Sequence, residues 1–307
     1  MTATFLKKPE IRRLRYRLLC FAAETGITLA GLVPRRIGLL LFSLAGALVY
    51  SVPHKDKTRT FNHLRMIYGG RWTGVKIRTV ARSVYRELGK NLFDSFYLSR
   101  LDKTSFDGLV KHDPLDAVEA AYRKGKGGVV ITAHTGCFEM LLQFFAVHGF
   151  KSFAIGRKLH DEQLDRIIRG TRTGDNYQYI DRSEPPRKII RFLSQGMLFG
   201  VLVDQDTAVE GVFADFLGKP AFTPSGPVKL AMKFSIPVFV ATTARQPDGT
   251  HYVYLSGPLQ LKSTGDIDMD LVENMTEVNK LIGRTIEQFP EQWVWMHRRW
   301  NRKPEGN

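Results

Sequence analysis

The sequence predicts an α/β fold. A largely parallel, mixed sheet would be flanked by helices on both faces and preceded by an N-terminal, membrane-associated helical hairpin. Three observations carry this expectation. From Pro114 onward, short apolar runs rich in β-branched residues alternate with helix-like segments, the pattern of strand–helix–strand crossovers. Such runs, apolar throughout, suit strands buried on both faces. Ahead of them lies an uncharged apolar stretch between basic flanks, which reads as a surface-seeking or membrane-seeking helix pair.

The hairpin comes first. Residues 11–32 (IRRLRYRLLCFAAETGITLAGL) begin very basic and turn apolar, and the 17 residues from Ile37 to Pro53 carry no charge. That second length sits at the lower limit for a spanning helix and fits an interfacial one equally. The alternative is a buried hairpin of a soluble domain. The arrangement divides the chain into basic and apolar helices over 1–53 and an α/β domain over 54–307. Next, residues 76–98 repeat Val80, Val84, Leu88, Leu92 and Phe96 at steps of four, an amphipathic helix. Arg78, Arg82, Arg86 and Lys90 recur at the same spacing on another face.

The α/β portion follows in order. Helices are expected over 115–124, 138–148, 161–171, 186–195, 224–234 and 267–289, and strands over 127–133, 151–155, 177–180, 197–204, 238–243 and 251–255. Residues 216–226 (FLGKPAFTPSG), rich in Gly and Pro, read as a long loop that could wall a substrate site. The C-terminal PEQWVWMHRRW combines three tryptophans with two arginines, suited to a lipid-headgroup interface or to a strap sealing the core.

Charge narrows the partners. Residues 1–100 hold 19 Lys and Arg against 5 Asp and Glu, an excess of 14 in a total of +15. An anionic membrane surface and an acidic protein are the natural counter-surfaces of such a segment. Nucleic acid is disfavoured, because no recognised binding motif accompanies the charge. There is no GxxxxGK[ST] loop and no GxGxxG, so nucleotide binding has no support. Two cysteines, Cys20 and Cys137, make neither a disulfide framework nor a zinc site. A cleavable signal peptide fits poorly.

The chemistry concentrates in Gly128-Val-Val-Ile-Thr-Ala-His134-Thr-Gly-Cys-Phe-Glu139. The histidine falls at the carboxyl end of an expected strand, the edge where open α/β sheets bind ligands, and Glu139 falls in the first turn of the next helix. Histidine with a carboxylate is the minimum apparatus for deprotonating a hydroxyl: imidazole takes the proton, and the carboxylate fixes the tautomer and stabilises the cation. By spacing alone the pair is a weak signal, and a packed structural histidine is the plain alternative. Cys137 could also be considered as a nucleophile. Arg157 and Asp204 follow other expected strands at the same edge. Arg157 could clamp a phosphate or carboxylate bidentately, or form a structural ion pair with an aspartate. Asp204 and Asp206 could hold a metal, but no further ligands at suitable spacing accompany them.

Taken together, HTGCFE, the VDQD…FADFLGKPAFTPSGPVKLA block and the terminal PEQWVWMHRRWNRKPEG resemble the bacterial lipid A biosynthesis (late, Kdo-dependent) acyltransferase family. That family belongs with the wider HxxxxD/E lysophospholipid acyltransferases. The likeness runs through nearly the whole chain and implies a glycerolipid-acyltransferase-like sheet at the cytoplasmic face of a bacterial inner membrane. The implied reaction moves a fatty acyl chain from acyl carrier protein to a hydroxyl of a phosphorylated glycolipid, with no cofactor and no metal. His134 would be the general base and Glu139 its supporting acid. Backbone N–H groups near Thr135 and Gly136, or Arg157, would stabilise the oxyanion. Asp204 is matched less securely, as a substrate-binding polar residue. An acyl chain needs an apolar tunnel, which the helix at 138–150 could line. The rival readings are an acyltransferase for a lysophospholipid or another phosphorylated glycolipid, and a non-catalytic membrane lipid-binding protein.

Overall fold

The computed structural model describes residues 8–156, 158, 161–170 and 176–304. Its helices are α1 (Lys8–Leu32), α2 (Arg35–Ser51), α3 (Lys55–Tyr68), α4 (Gly74–Leu98), α5 (Lys103–Leu109), α6 (Asp116–Arg123), α7 (Leu141–Val147), α8 (Glu162–Gly170), α9 (Arg187–Ser194), α10 (Gly226–Phe234) and α11 (Ile267–Gln288). Its strands are β1 (Val110–His112), β2 (Gly128–Thr132), β3 (Ser152–Gly156), β4 (Tyr177–Asp181), β5 (Leu198–Leu202), β6 (Gly211–Phe216), β7 (Lys219–Pro224), β8 (Val238–Arg245) and β9 (His251–Ser256).

Seven strands form one sheet in the order β1-β9-β8-β2-β5-β3-β4, with β2 at its centre. Every neighbouring pair is parallel except β8 and β9. Alternation along β2 shows how the sheet is covered. Val129 and Ile131 enter the core that contains Phe192, Val228 and Ile282 of α9, α10 and α11. Val130 enters the opposite core, with Val118 of α6 and Phe144 of α7. Both faces of β2 are therefore buried, and its sequence carries no polar alternation.

The expected sheet and its helices are present, with three differences. Residues 216–226 are no free loop. They begin at the end of β6 and run through β7, and the two strands form an antiparallel hairpin. Its two-residue turn, Leu217-Gly218, has φ of 56° and 76°, the positive values that match the twist of paired strands. Second, the face buried by α4 is not the row Val80, Val84, Leu88, Leu92, Phe96: Ile77, Ala81, Val84, Tyr85, Phe93 and Phe96 are buried, while Leu92 is 50% exposed. At 3.6 residues per turn, each step of four rotates about 40° round the helix, so a row of five drifts from one side to the other. Third, the strand β1 and the helices α3 and α5 are not among the elements the sequence predicts.

α2 lies against α4 at unusually short range. A methyl group on Gly46 would stand 2.0 Å from the Tyr85 carbonyl oxygen, and one on Gly89 would stand 2.0 Å from that of Phe42. The outward side of α2 is a stripe of exposed Ile37, Leu40, Leu41, Leu44 and Leu48. Among the described residues no single helix is long and apolar enough to cross a membrane. α2 and α3 together have the length and composition, but they are bent by 91° at their junction.

Buried polar groups tie this helical layer to the sheet. Asp94 of α4 accepts two hydrogen bonds from Arg35 at 2.8 Å each, another from Arg245 of β8, and contacts Nε2 of His251 of β9 at 2.8 Å. Burial would push the Asp94 carboxyl up, but His251 and the two arginines together hold it well below the usual carboxylate range.

Candidate active site

β2 and β5 are in parallel register, with Thr132 opposite Leu202. Two residues beyond each, at the same edge, stand His134 and Asp204. His134 Nδ1 lies 2.7 Å from Asp204 Oδ1, and the His134 backbone N–H donates to Oδ2 at 2.8 Å. The Trp293 indole N–H donates to the same Oδ2 at 2.8 Å. Asp204 is fully buried. Burial opposes its charge, yet the adjacent His134 and the indole donor keep the carboxyl far below its ordinary value. An ionised carboxylate on Nδ1 fixes the tautomer that leaves the Nε2 lone pair facing outward.

His134 lines a cavity of about 960 Å³. The cavity is lined by His134, Phe138, Glu139, Leu141, Leu142 and Phe145 on one side, and by residues of β3, β4, β5 and α9 elsewhere. Its walls are mainly apolar. Gly200 of β5 forms part of them, and a Cβ there would meet Leu142 and the Phe153 carbonyl at an ordinary 3.7 Å. Glu139, in a single 3-10 turn at Phe138–Met140, also lines a smaller cavity of about 200 Å³ between α4 and α7.

The C-terminal strap holds the turn that carries His134. Thr135 bridges Trp293, Val294 donates to the His134 carbonyl at 3.2 Å, and Gly136 donates to the Gln292 carbonyl at 2.9 Å. Gly136 has φ of 50°, and a Cβ there would collide with the Thr243 carbonyl oxygen at 2.4 Å, so glycine is required twice over. From the other side, Asn91 of α4 donates to the Gly136 carbonyl at 2.8 Å while its own side-chain oxygen accepts from Arg245 at 2.7 Å.

A histidine, a buried carboxylate bonded to it and a mainly apolar cavity meet at this sheet edge, and comparison with known proteins gives them a context. Residues 5–302 match the family model described as bacterial lipid A biosynthesis acyltransferase. The chain belongs to that family. It is 28% identical over 145 residues to the lipid A biosynthesis lauroyltransferase of Escherichia coli (strain K12), a match covering 47% of this chain and 46% of that protein. The chain thus spans about half the length of the curated relative it matches. The crystal structure of a 1-acyl-sn-glycerophosphate acyltransferase from Thermotoga maritima matches over 85% of this chain and 99% of its own, at 15% identity and a TM-score of 0.38, too loose a likeness to carry an argument.

Within this family member the site residues read from sequence are placed as follows. His134 and Glu139 both line the large cavity. The carboxylate bonded to the His134 ring, however, is Asp204, in the part assigned above to Glu139, and Asp204 is too deeply buried to meet a substrate. The N–H groups of Thr135 and Gly136 are already donating, to the carbonyls of Ala133 and Gln292, so in this arrangement neither is offered to an oxyanion. Arg157 lies outside the described residues. Asp206 pairs with Arg302, Nε to Oδ1 at 2.7 Å, and among the described residues no group of three or more His, Cys, Asp or Glu is placed to hold a metal. Cys137 is buried, and burial pushes its thiol well above the ordinary range, which removes it as a nucleophile. The tryptophans of the terminal string, Trp293, Trp295 and Trp300, are all buried, so the string is a core strap and not a headgroup-level belt.

Two residues of the site were missed altogether. Gln205 follows Asp204, and its side-chain nitrogen lies 3.0 Å from His134 Nε2 and 2.8 Å from His297 Nε2. His297 stacks edge-on to His134 at 4.5 Å between ring centroids. Both residues lay inside strings already singled out, VDQD and WMHRRW, but nothing in their spacing announces that β5 and the strap bring them to one ring.

Proposed function

We propose that this chain is an O-acyltransferase that moves a fatty acyl group from a thioester, carried by acyl carrier protein, to a hydroxyl of a lipid A precursor. The observation that carries the reading is the buried Asp204 on Nδ1 of a histidine that lines a large, mainly apolar cavity. Family membership supports the reaction class.

In the proposed mechanism the acceptor hydroxyl donates to His134 Nε2. As the proton passes to the ring, the oxygen attacks the thioester carbonyl, and Asp204 stabilises the imidazolium formed behind it. The tetrahedral intermediate collapses with cleavage of the C–S bond. The departing sulfur takes the proton from His134, leaving an ester and a free thiol. The acyl chain occupies the cavity walled by Leu141, Leu142 and Phe145. Glu139 stands on the substrate side of the ring, where it acts on the acceptor side of the reaction. No step forms a covalent bond to the protein.

The setting we propose is the cytoplasmic face of an inner membrane. The exposed stripe on α2 and the excess positive charge of the first 100 residues support it, since an apolar face beside basic residues suits an anionic bilayer surface. Leu44→Glu, on that stripe, should weaken binding to anionic vesicles by about tenfold; unchanged binding would move the contact elsewhere. The reaction itself is tested by transfer of labelled acyl groups from acyl carrier protein to a lipid A precursor, with lysophospholipid as a parallel acceptor. Product on the lipid A precursor alone is expected. Product on lysophospholipid alone would reassign the acceptor, and product on neither would leave a lipid-binding protein.

A further inference from the structure

Gln205 sits where the chemistry needs an open lone pair. Its amide nitrogen carries two hydrogens, and both are directed at imidazole nitrogens: His134 Nε2 at 3.0 Å and His297 Nε2 at 2.8 Å. Each ring must therefore present a lone pair at Nε2. For His134 this follows from the contact of Nδ1 with Asp204 at 2.7 Å, which holds the ring proton on Nδ1 and leaves the lone pair on Nε2. For His297, burial and the neighbouring His134 push its protonation down to about 4, so the ring is neutral and accepts. His297 is itself fixed in the strap, its backbone N–H donating to Val294 at 3.2 Å and the preceding Met296 carbonyl accepting from Arg59 at 2.8 Å. Gln205 also lines the large cavity beside His134, so it has space to leave the ring.

We propose that Gln205, anchored by His297, caps the catalytic lone pair of His134 until an acceptor hydroxyl replaces it, and that the cap discriminates against water as the acyl acceptor. The inference rests on the acyl-transfer reading and adds to it a positioning pair that governs transfer against hydrolysis. The competing reaction is balanced and simple. Water would give a proton to His134 Nε2 while its oxygen attacks the thioester carbonyl; the C–S bond breaks, the sulfur leaves with the proton from the imidazolium, and a free fatty acid and a thiol result. An uncapped His134–Asp204 pair beside a bound thioester has no means of refusing that step. With Gln205 on Nε2, the incoming group must displace an existing hydrogen bond. A large acceptor brings binding energy from its remote parts to do so, and a single water brings almost none.

The test uses the whole enzyme with an acyl–acyl carrier protein thioester, with and without the lipid A precursor, and reads free fatty acid against transferred product. Gln205→Ala removes the cap, and Gln205→Met fills the same space without a donor. In both, the ratio of hydrolysis to transfer should rise by about tenfold over the unaltered enzyme, as expected for loss of a bond that water cannot displace. His297→Ala should move the ratio in the same direction by a smaller factor, since it loosens the anchor only. A merely structural role would lower both rates together, and an unchanged ratio in the two Gln205 variants would overturn the inference while leaving the acyl-transfer reading standing. Absence of transfer by the unaltered enzyme would instead sink that reading and the inference with it.

Discussion

In the proposed mechanism Asp204 carries the charge that makes His134 a base, and it would do so from complete burial. Replacing it with asparagine keeps the shape but allows the ring to turn its proton toward the substrate, and it removes the anion that balances the imidazolium. Asp204→Asn should therefore lower kcat by about 10³-fold or more while changing KM little, read in the acyl-transfer assay. Gly200 admits a second residue-scale test. Its missing side chain leaves room in the cavity proposed for the acyl chain, and a Cβ there meets only ordinary contacts. Gly200→Val should preserve the fold and shift preference toward shorter acyl chains; an unaltered chain-length profile would mean that the chain runs elsewhere. His134 was legible from sequence because an apolar run stopped at it. The partnership with Asp204 was not, because it depends on the register of β2 against β5, strands separated by 65 residues that no local pattern aligns. The sequence points to Glu139 beside His134 through its place in the HTGCFE motif, whereas the bond from Asp204 to Nδ1 appears only once the strands are paired.

Strands and helices of the α/β portion were legible where burial on both faces or a long amphipathic period left a strong trace, as in β2 and α11. The hairpin of β6 and β7 was hidden because Gly and Pro, usually the marks of a loop, here sit at an edge and in a two-residue turn. The α4 face was misjudged for the opposite reason: a tidy repeat of four does not stay on one side of a helix with 3.6 residues per turn. What fixes α4 instead is its approach to α2. Gly89→Ala would press a methyl group into the Phe42 carbonyl oxygen at 2.0 Å, so the helices must separate. The expected cost is about 3 kcal/mol, seen as a lower denaturant midpoint; a wild-type midpoint would show that the helices separate freely.

For the molecule as a whole, pH acts through the buried group of Asp94, Arg35, Arg245 and His251. Burial, with the two arginines adding to it and Asp94 partly offsetting it, pushes His251 down from 6.5 to about 4. Between those values the unfolded chain takes up a proton at this ring and the folded protein does not. The contribution of His251 is thus fully present above 6.5 and is lost as pH falls toward 4. It amounts to about 3 kcal/mol. The melting temperature should fall steadily across that window, and a flat profile would show that the ring is charged in the folded state.

Asn91 gives this architecture one more property. Through a single amide it grips the Gly136 carbonyl in the turn that carries His134 and Arg245 in the cluster that fastens α2 and α4 to the sheet. Any outside agent that peels the outer helices away, a detergent for instance, must break that grip as it proceeds. Losing the helical layer and dismantling the turn at His134 are then expected as one event. Inactivation on extraction would come from the enzyme itself and would persist when substrate is supplied in soluble form.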